Sequence, residues 1–250
     1  PSPFRTKPAC PNFGPCGGCT LQHLAYEKQI ALKENYLLES LQRIGRIDIT
    51  RVKRSPIVPS PDQYFYRSKL ELAFGEKGGR IALGLRERVS PFRPFTGRVI
   101  PLAECRIFSP VAARLIPFFL DFAAAHRLRA FTPRTGKGFL KHLILREIKA
   151  TGDVMATVET RPGKFPDPAG LIKRLADDVP VVKSLNHAVN DRTDDVIRFA
   201  RVRHLYGEHS IDEQLGGLTL RVHPEAFSQP NTRGAALLYN KILESSYVTE

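Results

Sequence analysis

The sequence predicts an α+β fold, in which a hairpin-rich, mainly antiparallel sheet is flanked by helices. Two observations carry this prediction. Apolar and polar residues alternate with a period of two in "YRSKLELAFG" and in several later segments that end at turn residues. Apolar residues recur with a helical period in a few other segments. The chain has 250 residues, of which 42% are hydrophobic, so it can bury a substantial core.

The N-terminal part of the chain predicts a loop followed by a helix. Residues 1–23 are rich in Pro, Gly and Cys and have no period, so another part of the protein must order them. Residues 24–44 have a helical period, and Gly45 is a plausible end of that helix. The apolar positions of this amphipathic helix are Ile30, Leu37, Leu41 and Ile44.

The middle of the chain predicts the sheet. "YRSKLELAFG" and "RIALGLRE" flank the turn "GEKGG", and "FLKHLILREI" and "VMATVET" flank "KATGD", so each group forms a hairpin. Four later segments predict short strands: "VVKSLNHAVN", "VRHLYG", "HSIDEQL" and "LTLRVHP".

Three more segments predict helices. Residues 110–128 are apolar, and Pro117 must either kink this helix or begin its main body. "DPAGLIKRLADD" is a short helix that Asp167 caps, and Asn231 caps a last helix, "TRGAALLYNKILESS".

The charge of the chain favours a polyanionic partner. The net charge is +13 and the pI is about 9.9, which favours nucleic acid first and an anionic membrane surface second. A merely basic, solvated surface is the alternative. From Arg127 to Lys149, seven Lys or Arg residues stand against one acid, Glu147.

The apolar runs are too short to cross a membrane. No run approaches the roughly 20 residues of a membrane-spanning helix, and the N-terminus lacks the apolar core of a signal peptide. We therefore expect a cytoplasmic protein with no membrane partner, and a monomer.

Four basic side chains are candidates for contact with a nucleic-acid backbone. Arg67 and Lys69 share one face of a predicted strand, and His142 and Arg146 share one face of another strand inside the basic segment. The alternative is that each belongs to a solvated sheet face.

The four cysteines form an unusual pattern. Cys10, Cys16 and Cys19 lie within ten residues, and Cys105 lies far downstream. Four thiolates can hold an iron–sulfur cluster or a zinc ion, and a group of three with one remote partner favours the cluster. A zinc site of the first three cysteines with His23 is a rival, and reduced, unligated cysteines are the third alternative.

Several segments together resemble a known family. "CPNFGPCGGCTLQHLAYEKQIALKENYLLESLQRIG", "PLAEC", "GFLKHLILREIKATGDVMATVET", "LYGEHSIDEQLGGLTLRVHPEAFSQPN" and "GAALLYNKI" are similar, in order, to blocks of bacterial RNA uracil-C5 methyltransferases of the 23S ribosomal RNA type. The resemblance covers essentially the whole chain. It implies that Cys10, Cys16, Cys19 and Cys105 hold a [4Fe-4S] cluster and that Gln229 contacts S-adenosyl-L-methionine. The pattern departs from the family at Ser228, where an aromatic residue is usual, and at Pro230.

The resemblance also implies a division of the chain into three parts. Residues 1–55 form the cluster-binding loop and amphipathic helix, residues 56–222 form the RNA-recognition domain, and residues 223–250 begin a class I methyltransferase fold that is truncated here. The nucleophilic cysteine and the general base of the family have no counterpart among these residues. We therefore expect the fragment to bind RNA, ribosomal RNA first and transfer RNA second, without transferring a methyl group. A non-catalytic RNA-binding module with a structural iron–sulfur or zinc site is the alternative.

Overall fold

The computed structural model describes residues 2–90, 92 and 96–245, and within them the chain forms nine strands and four α-helices. Residues 246–250, the end of the third predicted part, lie outside the described residues. The strands are β1 Lys69–Lys77, β2 Arg80–Arg86, β3 Val99–Pro101, β4 Leu140–Glu147, β5 Val154–Thr160, β6 Val182–Val189, β7 Arg201–Gly207, β8 Ile211–Leu215 and β9 Leu218–Val222. The helices are α1 Tyr26–Arg43, α2 Ala112–Ala125, α3 Pro168–Asp178 and α4 Thr232–Ser245, with a 3₁₀ turn at Ile49–Arg51.

Seven of the described strands form one sheet, in the order β3-β2-β1-β4-β5-β6-β7. All neighbouring pairs are antiparallel except β5 and β6, which run parallel with α3 between them in the chain. The mixed α/β fold with a mainly antiparallel sheet is therefore confirmed. Strands β8 and β9 form a separate hairpin.

One face of the sheet carries the main apolar core. Leu70, Leu72 and Phe74 of β1 are at most 2% exposed, and they pack with buried side chains of α2. Helix α2 begins at Ala112, five residues before Pro117. Of the two predicted alternatives, the one in which the helix begins at the proline is therefore wrong, and Pro117 lies inside the helix.

The opposite face of the sheet is polar and also buried. The strand register places His142 of β4 beside Glu159 of β5, and Thr157 of β5 beside Asn186 of β6. All four side chains are at most 5% exposed. Glu159 accepts hydrogen bonds from the Asn190 side chain and from the backbone of Arg198, so the segment after β6 covers part of this face.

Two further predictions concern the ends of helices. Asp167 accepts a hydrogen bond from Gly170 N at 3.0 Å, and Asn231 accepts one from Gly234 N at 2.9 Å, so both predicted N-caps are confirmed.

Helix α1 forms where the periodicity predicts, but it contains no buried residue. Its apolar side chains Tyr36 and Leu37 are 61% and 57% exposed, and Ile44 just beyond it is 83% exposed. Among the described helices, none is both long enough and apolar enough to cross a membrane.

Candidate functional site

The cysteine loop, residues 10–19, is fixed to the end of β2 by its backbone. Cys16 forms a β-bridge with Glu87, Gly17 N donates to Arg86 O at 2.9 Å, and Arg88 N donates to Pro15 O at 2.8 Å. The loop approaches the strand so closely that a Cβ on Gly17 would lie 2.9 Å from Arg86 O. A side chain at position 17 is therefore excluded unless the backbone shifts.

The fold brings the remote cysteine to this loop. Cys105 follows β3 and, like Cys16, is 7% exposed, and both belong to the main apolar core. Burial raises the pKa of Cys16, Cys19 and Cys105 above the usual thiol value, and mutual repulsion of the sulfur charges adds to the shift. Such repulsion requires the thiols to lie near one another, although Cys19 and Cys105 are 86 positions apart in the chain.

Arginines oppose this repulsion. Arg88 lowers the pKa of Cys16 and Cys19, and Arg67 lowers that of Cys19, although in each case burial dominates. The Arg88 guanidinium also donates to Cys19 O and lies 5.2 Å from the centre of the Phe13 ring. The site therefore supplies positive charge for thiolates and a tether for the loop.

The described residues do not form an assembled metal site. No three His, Cys, Asp or Glu side chains among them are grouped closely enough to hold a metal ion, and this applies to the four cysteines as well as to the zinc set with His23. Binding of a cluster or of zinc by these residues therefore stays a prediction. Two donors already lie beside the sulfurs: Gly18 N is 3.4 Å from Cys16 Sγ, and the Gln22 side chain lowers the pKa of Cys19. Gln22 Nε2 is buried and, apart from this contact with Cys19, has no hydrogen-bond partner among the described residues.

The glutamine segment, residues 226–231, lies across the beginning of β1. Ser68 N donates to Pro230 O at 2.6 Å, and the Ser68 hydroxyl lies 3.4 Å from Gln229 O. The Gln229 side chain is exposed and lines a cleft of about 570 Å³ between α1 and α4. The backbone at Gln229 is thus fixed while its amide is free to meet a ligand.

Arg146 holds the same segment from β4. Its side chain donates to Ser228 Oγ at 2.7 Å and to Ala226 O, and the residue is only 5% exposed. Burial lowers the pKa of this guanidinium. The hydroxyl at position 228, where the family pattern has an aromatic residue, therefore has a defined partner.

The four predicted RNA contacts divide into two pairs. Arg67 and Lys69 are partly exposed, and Lys69 forms an ion pair with Glu71. His142 and Arg146 are buried, and His142 Nδ1 lies 2.5 Å from Glu159 Oε2. Direct contact of the second pair with RNA stays a prediction, and in this structure both side chains have internal partners.

The basic segment is likewise only partly at the surface. Lys141, Arg146 and Lys149 donate to protein acceptors in the interior. Its exposed cations are Arg127, Arg129, Arg134 and Lys137.

Sequence reasoning missed Ser68, Arg88 and Glu159. Ser68 and Arg88 act through bonds to backbone carbonyls, which leave no pattern in the sequence. A signal for Glu159 was present, since an acid amid the apolar run "VMATVET" must have a partner if the strand is buried.

The chain was compared with known proteins, and no family model matches it. An uncharacterized RNA methyltransferase from Clostridium acetobutylicum is 29% identical over 98% of this chain and 52% of its own length. A tRNA (uracil(54)-C(5))-methyltransferase from Pyrococcus horikoshii is 30% identical over 97% of this chain and 53% of its own length. The chain thus spans about half the length of these curated relatives.

A solved structure has a fold similar to that of this chain. The crystal structure of Pyrococcus abyssi tRNA (uracil-54, C5)-methyltransferase in complex with S-adenosyl-L-homocysteine is similar with a TM-score of 0.72 and 28% identity. The match covers 97% of this chain and 52% of that one. The homologues of this chain are therefore RNA methyltransferases, and those named with a specificity act on uracil C5 of tRNA.

Proposed function

We propose that this chain is the cluster-bearing and RNA-recognising part of an S-adenosyl-L-methionine-dependent RNA uracil-C5 methyltransferase. The observation that carries the proposal is the position of Arg67. Its backbone N–H donates to Ile107 O at 2.8 Å, two residues after Cys105, and its backbone pairs with Asn231, two residues after Gln229. One predicted RNA contact thereby joins the predicted cluster ligands to the predicted cofactor residue.

The four cysteines would hold a [4Fe-4S] cluster that fastens the cysteine loop to the sheet. Such a cluster would supply a crosslink between residues 10–19 and Cys105. Its role would be structural, because methyl transfer to carbon involves no net oxidation or reduction. Gly18 N and the Gln22 amide would donate to its sulfurs, and Arg88 would balance part of its negative charge. Anaerobically purified protein should contain iron and sulfide in near-equal amounts, and stoichiometric zinc without visible absorbance would refute the cluster.

Gln229 would contact the methyl donor, and Arg67 and Lys69 would contact the RNA backbone. Residues 223–250 would begin the cofactor domain, residues 56–222 would hold RNA, and residues 1–55 would carry the cluster. Arg146 and His142 enter the proposal as positioning residues, because their side chains are buried.

A tritium-release assay tests the reaction itself. Methylation replaces the hydrogen on uracil C5, so RNA with 5-tritiated uridine should release tritium in proportion to the methyl groups gained from S-adenosyl-L-methionine. The assay should be run on the native protein with ribosomal RNA, which the sequence resemblance favours, and with tRNA, which the named relatives methylate. Methyl incorporation without tritium release would place the methyl group elsewhere.

A second candidate is a non-catalytic RNA-binding module. It is favoured by the net charge of +13, which supports binding of a polyanion without requiring methyl transfer. RNA binding with salt-dependent affinity but no tritium release from any RNA would support this candidate.

A further inference from the structure

A cleft of about 780 Å³ lies between the cysteine loop and the polar face of the sheet. We call it the loop–sheet cleft and define it by Gly18, Glu71, Arg86, His142, Asp195 and Val196, which are among the residues that line it. Its volume is in the range of roughly 300–1,000 Å³ that small ligands occupy.

Hydrogen bonds hold the polar groups of the loop–sheet cleft in place. Glu159 is fully buried and accepts from Asn190 Nδ2 at 2.9 Å and Arg198 N at 3.0 Å. Because this carboxylate acts as an acceptor, His142 Nδ1 donates to it and the ring orientation is fixed. Arg86 Nη2 donates to Asp195 Oδ1 at 2.6 Å, and His142 Nε2 lies 3.6 Å from the same oxygen. A ligand would meet groups that are already positioned.

The charges of the cleft do not favour a phosphate group. The cations Arg86 and Arg88 are offset by Glu71, Glu87 and Asp195, so the lining has no positive excess. Its other walls are apolar: Leu85, Val89, Val196 and Ile197. Apolar walls together with carboxylate acceptors suit a neutral heteroaromatic ring that carries N–H donors.

We propose that the loop–sheet cleft binds one unstacked nucleobase of the RNA, and that the base carries an exocyclic amino group. The inference rests on the proposed RNA-binding function. Lys69 and Glu71 are ion-paired neighbours on β1, so a strand whose phosphate contacts Lys69 can place the attached base at Glu71. The Glu71 and Asp195 carboxylates accept from the amino group, and the apolar walls enclose the ring. Single-stranded RNA is commonly read in this way, through bases splayed out of their stack.

Two nearly isosteric oligonucleotides test the proposal with the 250-residue chain. Nonacytidylate and nonauridylate have the same length and charge. They differ at C4, where cytosine has an amino group and uracil a carbonyl group, and at N3, which is an acceptor in cytosine and an N–H donor in uracil. We expect wild-type protein to prefer nonacytidylate by roughly five- to ten-fold, the discrimination typical of one well-formed base contact. Glu71→Gln should remove most of this preference.

Glu76→Gln is the matched control. Glu76 lies on the same strand, its side chain is 37% exposed against 38% for Glu71, and it also has one cationic partner, Arg129. Both substitutions remove one negative charge and should strengthen binding of nonauridylate. Glu71→Gln also replaces a charged acceptor of the cytosine amino group by a neutral one, so it should strengthen binding of nonacytidylate less, whereas Glu76→Gln should leave the ratio of the two affinities unchanged. Val196→Trp should also bring the ratio toward one, because Val196 lines the cleft and is 51% exposed, so a larger side chain there would occupy the space for the base.

The possible outcomes distinguish the cleft proposal from the proposed RNA-binding function. Equal effects of Glu71→Gln and Glu76→Gln on both oligonucleotides, or a wild-type protein that binds them equally, would overturn the cleft proposal and leave RNA binding in place. A wild-type protein that binds neither oligonucleotide at low salt would overturn the proposed RNA function and the cleft proposal together.

Discussion

Arg146→Met should loosen the glutamine segment without unfolding the sheet. The substitution keeps a long side chain in a site that is 5% exposed, and it removes the donors to Ser228 Oγ and Ala226 O. Hydrogen bonds from a charged group contribute about 1.5–3 kcal/mol each, so the segment loses on the order of 3–6 kcal/mol of local stabilisation. Global stability should change much less, because removing a buried cation recovers its desolvation cost.

Hydrogen exchange measures the two effects separately. A loss of about 3 kcal/mol speeds exchange through local opening roughly 100-fold, since each 1.4 kcal/mol is a factor of ten. Two amides report on the segment: Ser68 N, bonded to Pro230 O, and Gly234 N, bonded to Asn231 Oδ1. Both should exchange faster in the variant, while the amides of β5 and β6 should keep wild-type rates.

Arg161→Met is a control of similar design. Arg161 also donates to backbone carbonyls, those of Asn190 and Asp191, but at the other edge of the polar face. It should loosen residues 190–192 and leave Ser68 and Gly234 unchanged. Wild-type exchange at these two amides in Arg146→Met would refute the claim that Arg146 holds the glutamine segment, as would a uniform acceleration throughout the sheet.

Four further outcomes are expected. Cys105→Ser should abolish visible absorbance and lower the iron content of anaerobically purified protein, and undiminished iron would remove Cys105 from the ligand set. Arg88→Gln should speed iron loss to a chelator several-fold, and an unchanged rate would show that its bond to the cysteine loop is dispensable. Arg67→Ala with Lys69→Ala should reduce the slope of log affinity for single-stranded RNA against log salt by about 1.4, at about 0.7 for each lost phosphate contact, whereas an unchanged slope would exclude both from the interface. Burial lowers the pKa of His187 to about 4, so between pH 6.5 and 4 this residue is protonated in the unfolded chain but not in the folded one. The free energy of unfolding should therefore fall by up to about 3 kcal/mol from pH 6.5 to 4. Urea titrations of His187→Gln should lack this part of the pH dependence.

The elements of the fold could be predicted from periodicity, but their surroundings could not. Alternation in β1 assigns Leu70 and Leu72 to one face and Lys69 and Glu71 to the other, and the structure agrees. Alternation does not tell whether a distant segment covers the polar face. His142 has an internal partner in Glu159 of β5 and lies 3.6 Å from Asp195 of the segment after β6, where the sequence predicted contact with RNA.

The candidate site was predictable to the extent that its chemistry depends on residue type. Thiols are rare enough for their pattern to predict a ligand set of Cys10, Cys16, Cys19 and Cys105. The structure places these thiols near one another, and their ligation of a metal stays a prediction. The roles of Ser68 and Arg88 depend on backbone carbonyls that only the folded chain brings near. Periodicity predicts helix α1 correctly, but it does not predict burial, because no residue of this helix is buried.

The contacts at the beginning of β1 indicate how a cluster could serve a structural purpose in a protein without redox chemistry. Arg67 N donates to Ile107 O, two residues after Cys105, and Arg67 pairs with Asn231 on its other side. The residues that would meet RNA are thus fixed between the segment that carries Cys105 and the segment that carries Gln229. The cysteine loop has no regular secondary structure of its own, and its described contacts with this region are mainly backbone bonds to the end of β2. A crosslink from that loop to Cys105 would therefore stabilise one wall of the loop–sheet cleft and the position of Arg67 together. Loss of the cluster should then weaken RNA binding even where every predicted RNA contact remains in the sequence.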